Sequence, residues 1–586
     1  MSGRRFILGI LALAMFTWSV QEIQASEGRF FRRSESKTFS ERVDAAPGKT
    51  LYVDETQADI TIIGTNRNEI RVEATMEVKS RSEEIVEEFL KHSELELKPY
   101  REGYRLSLKT PKFHRERSVT INRIIRQLFD DEFDLSISTA MKVWVPSQQS
   151  LEMDNKYGDV RVENVHGNLL VANRSGVVEV EGCGGELDLT NSYAKVDVLD
   201  FDGSVTVKNS SGEVWLKDVA GGVRVDNSYK SVSFEKIGGP LIVDSQSAPV
   251  VGKHVDGDCQ ITTSYKEVDL VDIRGKLEVK APSCSVSVSD VADDVVIENS
   301  YKPVVVDSVR GVLTIRGQSS PVVVTHVSKD ASIRTSYKEV RAKEIGGTLT
   351  IQSQSSPVLV QDVGGRLSVR TSYKTVQVER IGGSVEIDGS SCPVTVRDVK
   401  GDVDIRSSYK DIVVDRVEGW LKIQADSGPV TATDIKKDVT VVTTYKPIQI
   451  RRVGGQLDVD GGSCSVLAED IGGDVKVSNS YKYVVLKGTS GSIRIQGRSS
   501  PVEVSEIKRL SEDAEIDIVT TYKPVTISLP RNVEVAVSAR TQYGKIRSDY
   551  PVYLNGTDDK EIQIGQGKGK IPIKIITSHD ITIRKE

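Results

Sequence analysis

The sequence predicts an all-β chain, a long parallel β-solenoid (β-helix) of 18-residue, two-strand coils, with right-handed coiling as the expectation. Three observations predict it. Tyrosines recur at a fixed interval of 36, apolar residues alternate in two short runs per 18, and charges of alternating sign recur every 18.

The tyrosine series runs through Tyr157, Tyr193, Tyr229, Tyr265, Tyr301, Tyr337, Tyr373, Tyr409, Tyr445 and Tyr481. Most sit in a motif such as Asn227-Ser228-Tyr229-Lys230 or Thr371-Ser372-Tyr373-Lys374. Halfway between them falls a Ser-small-Pro motif, as in Ser355-Ser356-Pro357 and Ser391-Cys392-Pro393. The 36-residue A/B unit is therefore two halves of 18. Both halves share one apolar skeleton: Val358, Val360, Val363, Leu367, Val369, then Val376, Val378, Ile381, Val385, Ile387. Alternation marks half-buried strands, and Gly364-Gly365 or Gly382-Gly383 mark the turns between them. Two strands cannot bury an apolar face alone, so each coil must stack on its neighbours.

The charges fix the coil length. Asp362, Arg380, Asp398, Arg416, Asp434, Arg452 and Asp470 follow one another at intervals of 18. In an 18-residue coil opposite charges lie about 4.8 Å apart; in a 36-residue coil Asp would stack on Asp. Beyond Tyr481 the next Tyr-Lys pair, Tyr522-Lys523, comes later than the interval of 36 allows, which places an insertion near Lys508 to Asp513. From Val160 to Ile583 the expectation is about 24 successive coils and a rod roughly 110 Å long.

Residues 1–25 read as an export signal. Arg4 and Arg5 precede the apolar stretch Phe6 to Val20, too short to span a membrane comfortably, and Ile23-Gln24-Ala25 is an acceptable cleavage site. The expected home is periplasmic, secreted or on the cell surface of a bacterium, with no integral membrane segment after signal removal. Residues 26–150 are expected to cap the solenoid, 151–528 to form the regular repeats, and 529–586 to form the C-terminal coils and cap. Within the N-terminal cap, Leu51 to Val53, Ala58 to Ile63 and Glu69 to Val78 alternate as strands. Ser80 and Glu83 offer a capping box for a helix carrying Ile85, Val86, Phe89 and Leu90. Ile121, Ile124, Ile125, Leu128 and Phe129 fall at the spacing of a second helix, packed over the cap or facing a partner or a membrane surface. At the other end Ile571, Ile573, Ile575, Ile581 and Ile583 are strand-like, and Gly565 to Gly569 reads as a tight turn. The five cysteines, Cys183, Cys259, Cys284, Cys392 and Cys464, are odd in number, and the last three share one phase on separate coils. They read as small buried or half-buried fillers, not a full disulfide framework.

The balance of 78 basic and 84 acidic residues, net −6, includes no long basic tract, so nothing recommends nucleic acid as a partner. A polysaccharide lyase or hydrolase would need carboxylates converging in a cleft built by irregular loops. Here they form ladders between short, uniform turns. His254 and His326 share a phase but stand four coils, about 19 Å, apart, too far to share a metal. No catalytic, cofactor or metal residue is assigned, and the chain is expected not to be an enzyme. The candidate binding ladder is Tyr229-Lys230, Tyr265-Lys266, Tyr301-Lys302, Tyr337-Lys338, Tyr373-Lys374, Tyr409-Lys410, Tyr445-Lys446 and Tyr481-Lys482. Aromatic rings stack on sugar faces and ammonium groups attract anionic polymers, so the row suits an acidic glycan or another envelope protein. The competing expectation is a structural spacer, its lysines protecting an edge and each Tyr packed over the small residue of the next coil.

These pieces together resemble the bacterial putative-adhesin family of β-strand-repeat proteins, a domain of unknown function. The resemblance rests on Thr50-Leu51-Tyr52-Val53 with Ala58-Asp59-Ile60-Thr61-Ile62, then Val143-Trp144-Val145-Pro146 leading into Tyr157-Gly158-Asp159-Val160. At the other end it rests on Thr541-Gln542-Tyr543-Gly544-Lys545-Ile546, Gly565-Gln566-Gly567 and Thr577-Ser578-His579-Asp580-Ile581-Thr582-Ile583. The resemblance implies a β-helical fold and an envelope location, and it brings no catalytic residues.

Overall fold

The computed structural model describes residues 33–111, 135–531, 533–554, 560–565 and 570–586. The export signal, the segment Ile121 to Phe129 and positions 566–569 of the Gly-rich turn lie outside the described residues. The chain divides into two compact units, Met1–Cys259 and Gln260–Glu586.

The coil is legible in a single repeat. Val358–Val363 and Leu367–Ser372 are its two strands, each paired in parallel with the equivalent strand of the next half-repeat, Val358 with Val376 and Leu367 with Val385. One coil is therefore one half of the A/B unit, as the charges require. Simple alternation would bury Val358 and Val360 and then turn Val363 outward. Asp362 prevents this by adopting a left-handed backbone (φ 58°), so Gln361 and Asp362 both face outward and Val363 returns to the core. The device recurs once per coil from Asn164 to Glu506, with Gly182 and Gly488 taking the same conformation as the Asp, Arg, Lys, His, Ser and Glu residues around them. A left-handed conformation costs a non-glycine residue about 1–2 kcal/mol. Stacking offsets that cost, because every neighbour in the column shares it.

A second column is polar and buried. Asn155, Asn173, Asn191, Asn209 and Asn227 in the first unit, and Asn299, Thr335, Thr371, Ser407, Thr443 and Asn479 in the second, are all under a tenth exposed. Asn227 donates to the Gly212 carbonyl (3.2 Å) and to the Lys230 carbonyl (2.7 Å). Asn479 repeats the pattern on Cys464 (2.7 Å) and Lys482 (3.0 Å). Each amide thus satisfies turn carbonyls that the parallel ladder leaves unpaired.

In the first unit, Thr50–Thr56 and Asp59–Thr65 form a coil of their own, inside the stretch expected to be cap. Leu51 pairs in parallel with Leu151, and Ile60 with Val160. On their other side these strands meet Gly103–Lys109 and Leu135–Pro146, and the antiparallel strands Glu69–Ser80 and Arg33–Asp44 extend the edge. The one helix among the described residues, Glu83–Lys91, buries Val86, Phe89 and Leu90 against Met76 and Val78. Its expected capping box does not form. Ser82 is the N-cap and makes no side-chain capping bond, while the Ser80 hydroxyl accepts the Ser82 N–H at 3.3 Å. The helix starts too late for Ser80 to reach its first turn.

In the second unit the expected insertion appears: Ile493 pairs with Ile516 and Val502 with Val525, each step longer than an ordinary coil. Its Lys508 reaches back over Gly488 to Asp470 (2.6 Å), supplying the cation missing at Gly488; a Cβ there would stand 3.2 Å from the Lys508 Cε. The last coils do not stack in chain order, as a simple run to Ile583 requires. Ile571–Thr577 and Ile581–Lys585 pair with Ile516–Val519 and Val525–Leu529 on one side, and with Val535–Thr541 and Ile546–Ser548 on the other. The final coil is slotted beneath the one that precedes it in sequence.

All five cysteines are free and buried. Burial pushes the Cys259 thiol up to about 12 and the Cys183 thiol to about 11. A thiol-reactive disulfide reagent at about pH 8, below the ordinary thiol range, should therefore find no reactive group in the folded protein, and all five after denaturation. Rapid reaction before unfolding would show that these coils open locally.

Candidate binding ladder

Each coil has two turn edges. One carries the left-handed Asp–Arg column beside the Gly-Gly turn; the other carries the Tyr-Lys and Ser-small-Pro turns. A strand such as Val376–Ile381, about 20 Å long, separates them.

The Asp–Arg edge of the second unit lines a groove of ≈1170 Å³ from Asp362 to Lys508. The charges of its left-handed column are already paired. Arg380 grips Asp362 through two bonds (2.6 and 2.9 Å), Arg416 reaches Asp398 (2.8 Å) and Arg452 reaches Asp434 (2.8 Å). Hydrogen bonds from these guanidinium groups hold the three carboxyls below the usual carboxylate range. A ligand entering the groove would have to displace paired charges, so the edge is better suited to joining coils than to binding.

The opposite edge differs. Tyr265, Tyr301, Tyr337, Tyr373, Tyr409, Tyr445, Tyr481 and Tyr522 all have left-handed backbones, φ between 59° and 70°. Ser283, Ser319, Ser355, Ser391 and Ser499, in phase with them on intervening coils, share the conformation, so it belongs to the turn as such. The rings gain little from packing: Tyr337 is 59 % exposed, Tyr373 67 % and Tyr445 71 %. Tyr229 of the first unit is 62 % exposed. The expectation that each ring packs over its small neighbour finds little support in these exposures.

Main-chain and core hydrogen bonds hold the row in place. The Tyr337 and Tyr373 amides donate to the Gln354 and Ser390 carbonyls (2.7 and 2.8 Å), and the core Asn479 holds the Lys482 carbonyl. On the coils between, Ala248, Cys284, Ser320, Ser356, Cys392, Cys464 and Ser500 take the places in phase with the lysines and are fully buried, so no second cation stands between successive lysines there.

The lysines of the ladder, Lys230, Lys266, Lys302, Lys338, Lys374, Lys410, Lys446 and Lys482, are all exposed. Among the described residues none of them forms an ion pair. Glu339, beside Lys338, is instead engaged by Arg341 at 3.1 Å. Glu267 and Asp411 stand beside Lys266 and Lys410 and moderate the charge there. His254 and His326 both lie in the Asp–Arg column, away from this edge. His326 bridges Asp307 (2.6 Å) and Glu344 (2.9 Å), a contact across coils that period analysis did not reveal.

Residues 311–584 match the model of the Toastrack DUF4097 family. A crystal structure described as a putative cell adhesion protein from Clostridium sporogenes is similar at 9% identity and a TM-score of 0.16, over 42% of this chain and 100% of that one. No curated protein matches the chain.

Proposed function

We infer that this chain, whose residues 311–584 match the Toastrack DUF4097 family, is a non-catalytic β-solenoid that binds a surface partner along its Tyr-Lys edge. The reading is adhesin-like: an exported protein that holds a glycan or another envelope protein. One observation carries it. Eight tyrosines of the second unit stand largely exposed at the turn, each followed by an exposed lysine, so that rings and ammonium groups line one edge at a fixed interval. The regular pairing of carboxylates with arginines on the other edge supports a role without catalysis. That same self-satisfied ladder also favours a second reading, a structural spacer in which coil stacking is the whole function.

Changing Lys338, Lys374 and Lys410 together to Glu separates the two readings. The variant is expected to lose retention on bacterial surfaces or acidic polysaccharide by roughly tenfold at low salt, with the difference shrinking at high salt. Unchanged, salt-insensitive retention would leave the spacer reading.

A further inference from the structure

Resting on the ladder as a binding face, the geometry points to a ligand class: an extended acidic polysaccharide with one anionic group per disaccharide. Within Gln260–Glu586 the Tyr-Lys turns recur on every second coil, so equivalent pairs stand about 9.6 Å apart along the stack. Two β-linked pyranose rings in an extended chain span nearly that length. A polymer laid along the edge would meet each pair in the same register, one ring face against each tyrosine.

The charge has the same period. Each repeat offers one exposed, unpaired ammonium. The intervening coils at Ser319 and Ser355 have no cation at the turn; they present the exposed amides of Gln318 and Gln354 and bury Ser320 and Ser356. A carboxylate or sulfate on every second sugar falls beside a lysine. On the coils at Ser319 and Ser355 the uncharged sugar then lies beside that amide, which can hydrogen-bond a hydroxyl or acetamido group. Along this stretch a polymer charged on every sugar would place its additional charges at Ser319 and Ser355, where no cation stands at the turn.

The test titrates the full chain with oligosaccharides of alternating β-linked glucuronate and N-acetylglucosamine of increasing length, with polygalacturonate and polyglutamate as comparators. Affinity for the alternating series should rise about two- to fivefold with each added disaccharide, as each new pair is engaged. The variant Tyr337→Asn, Tyr373→Asn, Tyr409→Asn removes three rings while suiting the left-handed backbone, so it should fold and yet bind about tenfold more weakly. Circular dichroism and the unfolding midpoint check the folding. Equal binding of polyglutamate, with no loss in the Tyr→Asn variant, would overturn the disaccharide register while leaving a charged binding edge. Binding of neutral glycans irrespective of lysine would also overturn it and keep the broader reading. No binding of any glycan or polyanion, together with unchanged surface retention of the Lys→Glu variant, would remove both.

Discussion

Gly252→Val is expected to destabilise the first unit by about 3 kcal/mol or more, among the largest effects available to a single side chain here. Gly252 faces Phe234 across the parallel ladder, and a Cβ on it would stand 2.0 Å from the Phe234 Cε2 and 2.2 Å from its Cζ. The ring, 1 % exposed, fills the space that a valine occupies in most other coils. Phe234→Ala alone should cost about 3–5 kcal/mol by opening a cavity. The double variant Phe234→Val, Gly252→Val restores the ordinary pair and should recover most of the loss. Denaturant midpoints of the single and double variants give the coupling. Simple additivity would show that the two residues do not share one space.

The second large effect concerns the C-terminal coils. Because 571–585 lies between 516–529 and 535–548, removing residues 570–586 should undock two coils, not one. Val535–Thr541 would keep only its antiparallel partner Glu561–Ile564, and so small a sheet is marginal in water. Hydrogen exchange should show the amides of Val535–Thr541 falling from strong protection to nearly none, while Val502–Ser505 stays protected. Retained protection at Val535–Thr541 would mean that this strand can dock directly on Ile516–Val519.

Much of the solenoid was legible in the residues themselves. The sign alternation from Asp362 to Asp470 predicts the coil length, and the Arg380–Asp362 pair is that argument in atomic form. The insertion near Lys508 was visible as a break in the tyrosine rhythm. The left-handed column was harder to see, although the step from Val360 to Val363, one position longer than strict alternation demands, was its trace. The buried polar column was present as the first residue of Asn227-Ser228-Tyr229-Lys230, but a polar residue before a turn reads as solvated until its partners are known. The slotting of Ile571–Thr577 beneath Val535–Thr541 left no pattern. Parallel pairing between equivalent strands carries almost no sequence preference for one neighbour over another, so order along the stack is set by the irregular connections. For the ladder, sequence placed every Tyr and Lys on one edge; the exposure of the rings had to be seen before packing could be weighed against binding.

The alternation of two kinds of turn also bears on how such a chain can change its length. Losing a single coil from the middle of the second unit would leave the remaining strands able to pair in the same parallel register. It would nevertheless set Asp362 against Asp398, carboxylate on carboxylate, and bring two Ser-small-Pro turns together where a Tyr-Lys turn had stood. Losing two coils disturbs neither column. Within the run from Asp362 to Asp470, a change of length by an even number of coils would keep opposite charges in register, and an odd number would not.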